Sequence, residues 1–344
     1  MAVEPAPKHR CVRQTFTQTV YPQTAMFFHH APRCVMIRPL RLLFLAPFSQ
    51  AAHCPGLEYA GDLARALGVP LHIAAFTDLH GAESAGPAGA ECPDVVRQSV
   101  LALRQKWLKD ESARLQEKGV DVHPEIVRAS SSATEFAACA QRLEADLIIK
   151  DMQARPGQAH CGLSPQDWEF LSVSPVSVLY VQPGPTQIPG KVLAAIDMEF
   201  QAKEGDSDNH SIIEAARRLA SACGAALHVI SIYDTDAPGQ GDLSRFDVRK
   251  QAFDDFARQH GIAREHRHFI PGAPANAICA YLQRSAYNLL VIGAANHHLL
   301  PSGIGLTAEG ILEHAGCSVL AIKVPVAAAP IKTTAPDSIR HASS

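Results

Sequence analysis

Through the middle of the chain, short unbroken apolar runs alternate with stretches whose apolar positions recur every three to four residues. In the second half, KVLAAID (residues 191–197) reads as a buried strand. Residues 206–224 read as an amphipathic helix, with Ile212, Ala216, Leu219 and Cys223 on one face and Gly224 at its end. LHVISIY is the second strand, and a helix through Phe246, Phe253 and Phe256 stops near Gly261. A third strand covers residues 266–270, and Gly272-Ala273-Pro274 turns into a helix carrying Ala277, Ile278 and Tyr281. LLVIG is strand four; a loop and a helix over residues 307–314 lead to strand five, SVLAIK. The first half follows the same plan, its second helix starting near Asp94 and running through Val96, Val100, Leu103 and Trp107 to Gly119. Strands without a polar face, separated by helices, predict a parallel sheet covered on both sides.

The two halves repeat one unit. Leu63 matches Leu219, Gly68 matches Gly224, and Leu71-His72 matches Leu227-His228 without a gap. Further on, ADLIIKD (residues 145–151) matches YNLLVIG (287–293), and PVSVLYV (175–181) matches CSVLAIK (317–323). Ordered matches at nearly constant offset point to duplication. The expected domains are residues 39–183 and 191–325, joined by a Pro/Gly linker over 184–190. Residues 1–38 mix Pro, Gln, Thr and His without a period. They read as a disordered or mis-called extension; their basic, acid-poor composition fits a mitochondrial-type presequence, and Met36 offers an alternative start. Residues 326–344 read as a disordered Pro/Ala/Ser tail.

Composition narrows the function. Lys plus Arg total 31 against 34 Asp plus Glu, so no basic field exists to hold a nucleic-acid backbone. No apolar run reaches the ~18 residues that span a bilayer, so no membrane partner is expected. The nine cysteines form no CxxC, which argues against a zinc cluster and a thioredoxin-type site. Cys139, Cys223, Cys279 and Cys317 lie in apolar patterns and read as small buried hydrophobes in a reducing cytoplasm.

In an open parallel sheet, ligands sit at the carboxyl ends of the strands, near the switch in strand order. That directs attention to Asp197, after strand one of the second half, and to residues 293–310, GAANHHLLPSGIGLTAEG, after strand four. Glycines there let backbone amides approach a phosphate, and a hydroxyl at a helix start adds a donor. Asp197 is placed to accept from an adenine amine or a ribose hydroxyl.

KVLAAID, GAPANAI (residues 272–278), VIG…GLTAEGILEHAGCSVLAIK (291–323) and SPQDW (164–168) together resemble a tandem universal stress protein of the UspA superfamily, E-type subfamily. The resemblance covers residues 40–325. It implies an α/β fold of two tandem doubly wound parallel-sheet domains (adenine nucleotide alpha hydrolase-like) that pack through their fifth strands as an intramolecular pseudo-dimer. ATP-binding members carry G-x-x-G, nine residues, then G-S or G-T. Here Gly293 keeps the first position, Asn296 replaces the second Gly, and Leu306-Thr307 stands at the end unless Gly305 serves after a shift of one. The candidate ligand residues are therefore Asp197, Gly293, Asn296, Gly305 and Thr307. The first half lacks the motif: DMQARPGQAHCGLSPQDW follows Lys150, and strand one ends Ala46-Pro47-Phe48 with no Asp.

Plainer roles stand beside these. Asp197 reads as a strand-end turn cap, Thr307 as the N-cap of the last helix, and Ser164-Pro165 with Asp167 as a helix start, leaving Trp168 to the core. His266 and His268, two apart on a strand, read as solvated edge residues rather than metal ligands. His297-His298 and His160-Cys161 stand in loops where one side chain could touch a ligand or metal, although adjacent residues diverge. Cys54 beside His53 could be an accessible thiol, with nothing in the sequence to lower its pKa. No GxSxG, P-loop, HExxH or kinase set occurs. The expected function is a non-enzymatic, cytoplasmic stress-response protein that binds a small molecule or a protein and needs no cofactor or metal. The alternative is an ATP or AMP sensor using the second domain, and a third reading is an adenine-nucleotide hydrolase.

Overall fold

β1 (Leu42–Ala46), LLFLA, has no polar position, and all five side chains are buried, as a central strand covered on both faces requires. α1 (Pro55–Leu67) starts on a proline and ends at Gly68, whose φ of 66° lies in the left-handed region that glycine enters without strain. β2 (Leu71–Phe76), α2 (Asp94–Glu117), β3 (Val122–Val127), α3 (Ala133–Arg142) and β4 (Leu147–Asp151) follow. A short hairpin, β5 (Gln153–Ala154) and β6 (Cys161–Gly162), leads to α4 (Pro165–Val173) and β7 (Ser177–Val181). The second half repeats the plan with β8 (Lys191–Ala195), α5 (Gly205–Cys223), β9 (Ala226–Tyr233), α6 (Leu243–Gln259) and β10 (Arg267–Pro271). α7 (Pro274–Arg284), β11 (Leu289–Gly293), α8 (Leu306–His314) and β12 (Ser318–Ile322) complete it. The computed structural model describes residues 40–47, 54–77, 94–154, 161–183, 188–198, 205–236, 243–294 and 304–323. The extension over 1–38, the tail over 326–344 and most of the linker over 184–190 lie outside them.

One ten-stranded sheet runs through both halves in the order β10-β9-β8-β11-β12-β7-β4-β1-β2-β3. Every pair is parallel except β12 with β7, where Leu320 lies opposite Leu179. The fifth strands thus join the halves as the family resemblance implies. Two further bonds repeat across this seam: Gln182 N–H donates to Ser318 Oγ and Lys323 N–H to Ser177 Oγ, both at 3.1 Å. Each half switches direction between its first and fourth strands, at β1/β4 and β8/β11. Helices cover both faces, so Leu42 and Phe44 enter one apolar layer while Leu43 and Leu45 enter the other.

Three expectations change. The pairing of β4 with β7 and of β11 with β12 makes Ser177 and Ser318 equivalent, one residue away from the ungapped match. The loop after strand four is one residue longer in the first half. Leu103, placed on the apolar face of α2, is 55% exposed, whereas Arg104 is 2% exposed. α8 begins at Leu306 with Gly305 as its N-cap, so Thr307 is not the cap. Thr307 stands two residues past the cap position, inside the first turn, where its hydroxyl does not serve the amides that a cap serves.

Candidate functional site

In the second half, Asp197 lies two residues beyond the end of β8 and is exposed. A buried asparagine in α5 fixes its backbone. Asp197 N–H donates to Asn209 Oδ1 at 3.0 Å, and Asn209 Nδ2 donates to the Asp197 carbonyl at 2.7 Å. Asn209 escaped the sequence reading because its role is to hold backbone; its place one helix beyond strand one was the available signal. Gly293 ends β11 on the neighbouring strand, so the sheet brings Asp197 and Gly293 to adjacent strand ends. A Cβ on Gly293 would meet Ile212 Cδ1 at 3.3 Å, close but against a movable methyl.

Gly305 and Thr307 belong to the start of α8. Thr307 is exposed there, and no side chain caps the helix. Leu306 is 69% exposed. Gly310 is required for packing, since a Cβ would come within 2.9 Å of Ala275 Cβ on α7. Asn296 and His297-His298 lie outside the described residues.

The first half finishes the same place differently. Asp151, at the end of β4, stands where Gly293 stands. Its carboxylate lies over the N-terminus of α1, where Cys54 Sγ donates to Asp151 Oδ2 at 3.3 Å and the Gly56 amide supplies a second bond. The fit is close: a Cβ on Gly56 would fall 2.0 Å from Asp151 Oδ1. A helix N-terminus attracts an anion, and here the protein's own carboxylate takes that position. Burial pushes the Asp151 carboxyl up, while the Cys54 and Gly56 bonds pull it back. Burial, then the charge of Asp151, drives the Cys54 thiol far above the ordinary thiol range. Cys54 is therefore a buried donor rather than an accessible nucleophile.

Beneath Asp151, Lys150 Nζ and Asp167 Oδ1 form a buried ion pair at 2.6 Å, with Asp167 fully inaccessible. Asp167 also closes the capping box of α4: Ser164 Oγ accepts from the Asp167 amide at 3.2 Å and donates to Oδ2 at 2.7 Å. The predicted helix start at Ser164-Pro165 is thus observed, with Trp168 packed at the edge of the core. By register, Lys150 and Asp167 replace Ile292 and Ala308 of the second half.

The histidines gather at the opposite, amino ends of the strands. His266 lies in a 3₁₀ turn rather than on β10, and it is half-buried. Its ring sits 4.1 Å from that of His228, whose Nδ1 is 3.1 Å from His268 Nε2. Tyr287 Oη lies 3.3 Å from the same Nε2. Burial, then His266 and His268, lowers the His228 pKa to about 4. The first half keeps a simpler version, His72 stacked on His123 at 4.8 Å. Among the described residues, no group of three or more His, Cys, Asp or Glu is disposed to hold a metal ion. Nor is any described helix long and apolar enough to cross a membrane. An open groove of about 390 Å³ between α2 and β3 follows the sheet edge, away from the strand ends.

These features define a doubled α/β protein with a nucleotide-binding-like fold, each half switching strand order at β1/β4 and β8/β11. The family model described as the universal stress protein family matches residues 41–182 and again 190–323. The chain belongs to the universal stress protein family and carries two of its domains in tandem. Universal stress protein E homolog of Haemophilus influenzae is 23% identical over 217 residues, covering 59% of this chain and 70% of that protein. Universal stress protein E of Escherichia coli is 22% identical over 244 residues, covering 66% and 76%. Among solved structures, a functionally unknown protein from Pseudomonas aeruginosa superposes with a TM-score of 0.67 at 23% identity, over 83% of this chain and 92% of that one. A universal stress protein from Archaeoglobus fulgidus gives 0.59 at 18%, over 82% and 96%. At these identities the structures speak for the fold.

Proposed function

We propose that this universal stress protein acts by binding rather than catalysis, holding a small molecule or a protein partner at the carboxyl ends of its second-half strands. Proteins of the family are generally non-enzymatic stress proteins. The carrying observation is the unequal finish of the two clefts. Asp151 and the Ser164–Asp167 box occupy the helix starts of the first half. In the second half Gly293 has no side chain, and α8 starts without a side-chain cap. Burial raises the thiols of Cys54, Cys139, Cys223 and Cys317, which disfavours thiolate chemistry.

A second reading places ATP or AMP in that cleft. The uncapped start of α8 favours it, with Asp197, Gly293, Gly305 and Thr307, together with Asn296, as the contacts. Mass spectrometry of the small molecule retained on purification, with an ATP titration followed by calorimetry, separates the two. An unrelated ligand and no heat supports the first reading; a tightly held adenine nucleotide supports the second. Steady phosphate release from ATP that Thr307→Ala abolishes overturns the non-enzymatic reading.

A further inference from the structure

Arg104 is an anomaly in the core. It sits on α2 and is 2% exposed. Its Nη2 donates to the carbonyl of Ala46, the last residue of β1, at 3.2 Å. Its Nε and Nη1 are buried without a hydrogen-bond partner. Its electrostatic neighbour is Cys54, and the carboxylates beside Cys54 are committed elsewhere: Glu111 to Arg114, and Asp151 to Cys54 and Gly56. Trp107 lies under the guanidinium at 5.1 Å, and a π-face supplies only part of the missing negative charge.

The helix ends at Gly119 and Gly261 align α2 with α6, because Val120 and Ile262 close the same turn onto Leu115 and Ala257. Counting back, Arg104 stands where the second half has Phe246, whose ring packs against Tyr233 and Phe269. One half fills this position with an aromatic cluster. The other brings a fork of donors to the carboxyl end of β1. A buried, uncompensated guanidinium is strongly unfavourable, and the planar fork matches a carboxylate or phosphate in bidentate geometry.

We propose that the first half binds an oxyanion, the carboxylate or phosphate group of a small metabolite, through Arg104 at the carboxyl end of β1, with Trp107 against the same guanidinium. This site goes beyond the second-half reading, and its probe belongs to the first half alone, so either can fail without the other.

The chain has two tryptophans, Trp107 and Trp168. In full-length Trp168→Phe protein, Trp107 alone reports. Sodium phosphate and sodium acetate are titrated separately against sodium chloride of equal ionic strength, with fluorescence and thermal midpoint recorded. Saturable changes beyond chloride with phosphate only, with acetate only or with both identify a phosphate, a carboxylate or a shared oxyanion site. Arg104→Met removes the response. Arg104→Lys keeps the charge but loses the fork, and weakens the apparent affinity by about tenfold or more. Two results overturn the proposal: neither anion differs from chloride in the Trp168→Phe protein, or Arg104→Met responds as the arginine protein does. The first is read without altering Arg104, so misfolding of its variants does not protect the proposal.

Discussion

Asp151 and Gly56 are the pair on which the first cleft turns. Gly56→Ala puts a methyl onto the Asp151 carboxylate and lowers stability by about 1–3 kcal/mol through overpacking. Asp151→Gly, the second half's own residue, relieves it, so urea denaturation of the double variant shows strong coupling between the sites. Simple additivity would mean that the contact is not tight. Lys150 and Asp167 behave as a unit. Lys150→Ile alone strands a buried carboxylate and costs about 3–5 kcal/mol. Lys150→Ile with Asp167→Ala copies Ile292 and Ala308 and recovers a substantial part, by the same measurement. Asp151 was legible, since the sequence match set it opposite Gly293. Arg104 was not: helical periodicity counts apolar positions, and a guanidinium in a buried slot carries no such signal.

The helix starts and strand edges carry their own predictions. Ser164→Ala breaks a capping box and costs about 1 kcal/mol. Thr307→Ala, at an exposed site with no capping role, stays within about 0.5 kcal/mol. Thermal melts in ligand-free buffer check both. At the β9–β10 edge, His228 faces His266 and His268, with Lys191 adding a like charge and Tyr281 and Tyr287 closing the hydrogen-bonded chain. Its folded pKa of about 4 lies below the ordinary histidine value of 6.5, so the folded state favours neutral imidazole. The unfolded chain then takes up the proton first. Stability from this group is complete above pH ~6.5 and is lost as the pH falls towards ~4, by on the order of 2–3 kcal/mol. His228→Gln flattens that limb of a pH-stability curve; an unchanged limb would show that the cluster is not responsible. Strand existence and order of type were plain from the apolar runs. The capping of α8 was not, because a Gly-Leu-Thr start offers Thr as the better-known cap and only geometry selects Gly305.

At the scale of the molecule, the duplication was visible in matched segments, and the antiparallel β7–β12 seam makes those copies one sheet. The unequal finish of the two halves was less visible, because it depends on where Asp151, Arg104 and Asn209 point rather than on a motif. A second domain expressed alone, residues 190–344, has an unpaired β12 edge, and by light scattering it is expected to be a dimer through that strand. A monodisperse monomer would argue against the seam as the stabilising contact. The most direct test of the unequal clefts is native mass spectrometry of the full chain as isolated, beside Gly293→Asp, which gives the second cleft the first one's carboxylate. The unaltered protein should carry a small-molecule adduct that Gly293→Asp lacks while remaining folded. An adduct retained equally by both when each also carries Arg104→Met, which empties the first-half site, or found on neither, contradicts the assignment of ligand binding to the second half.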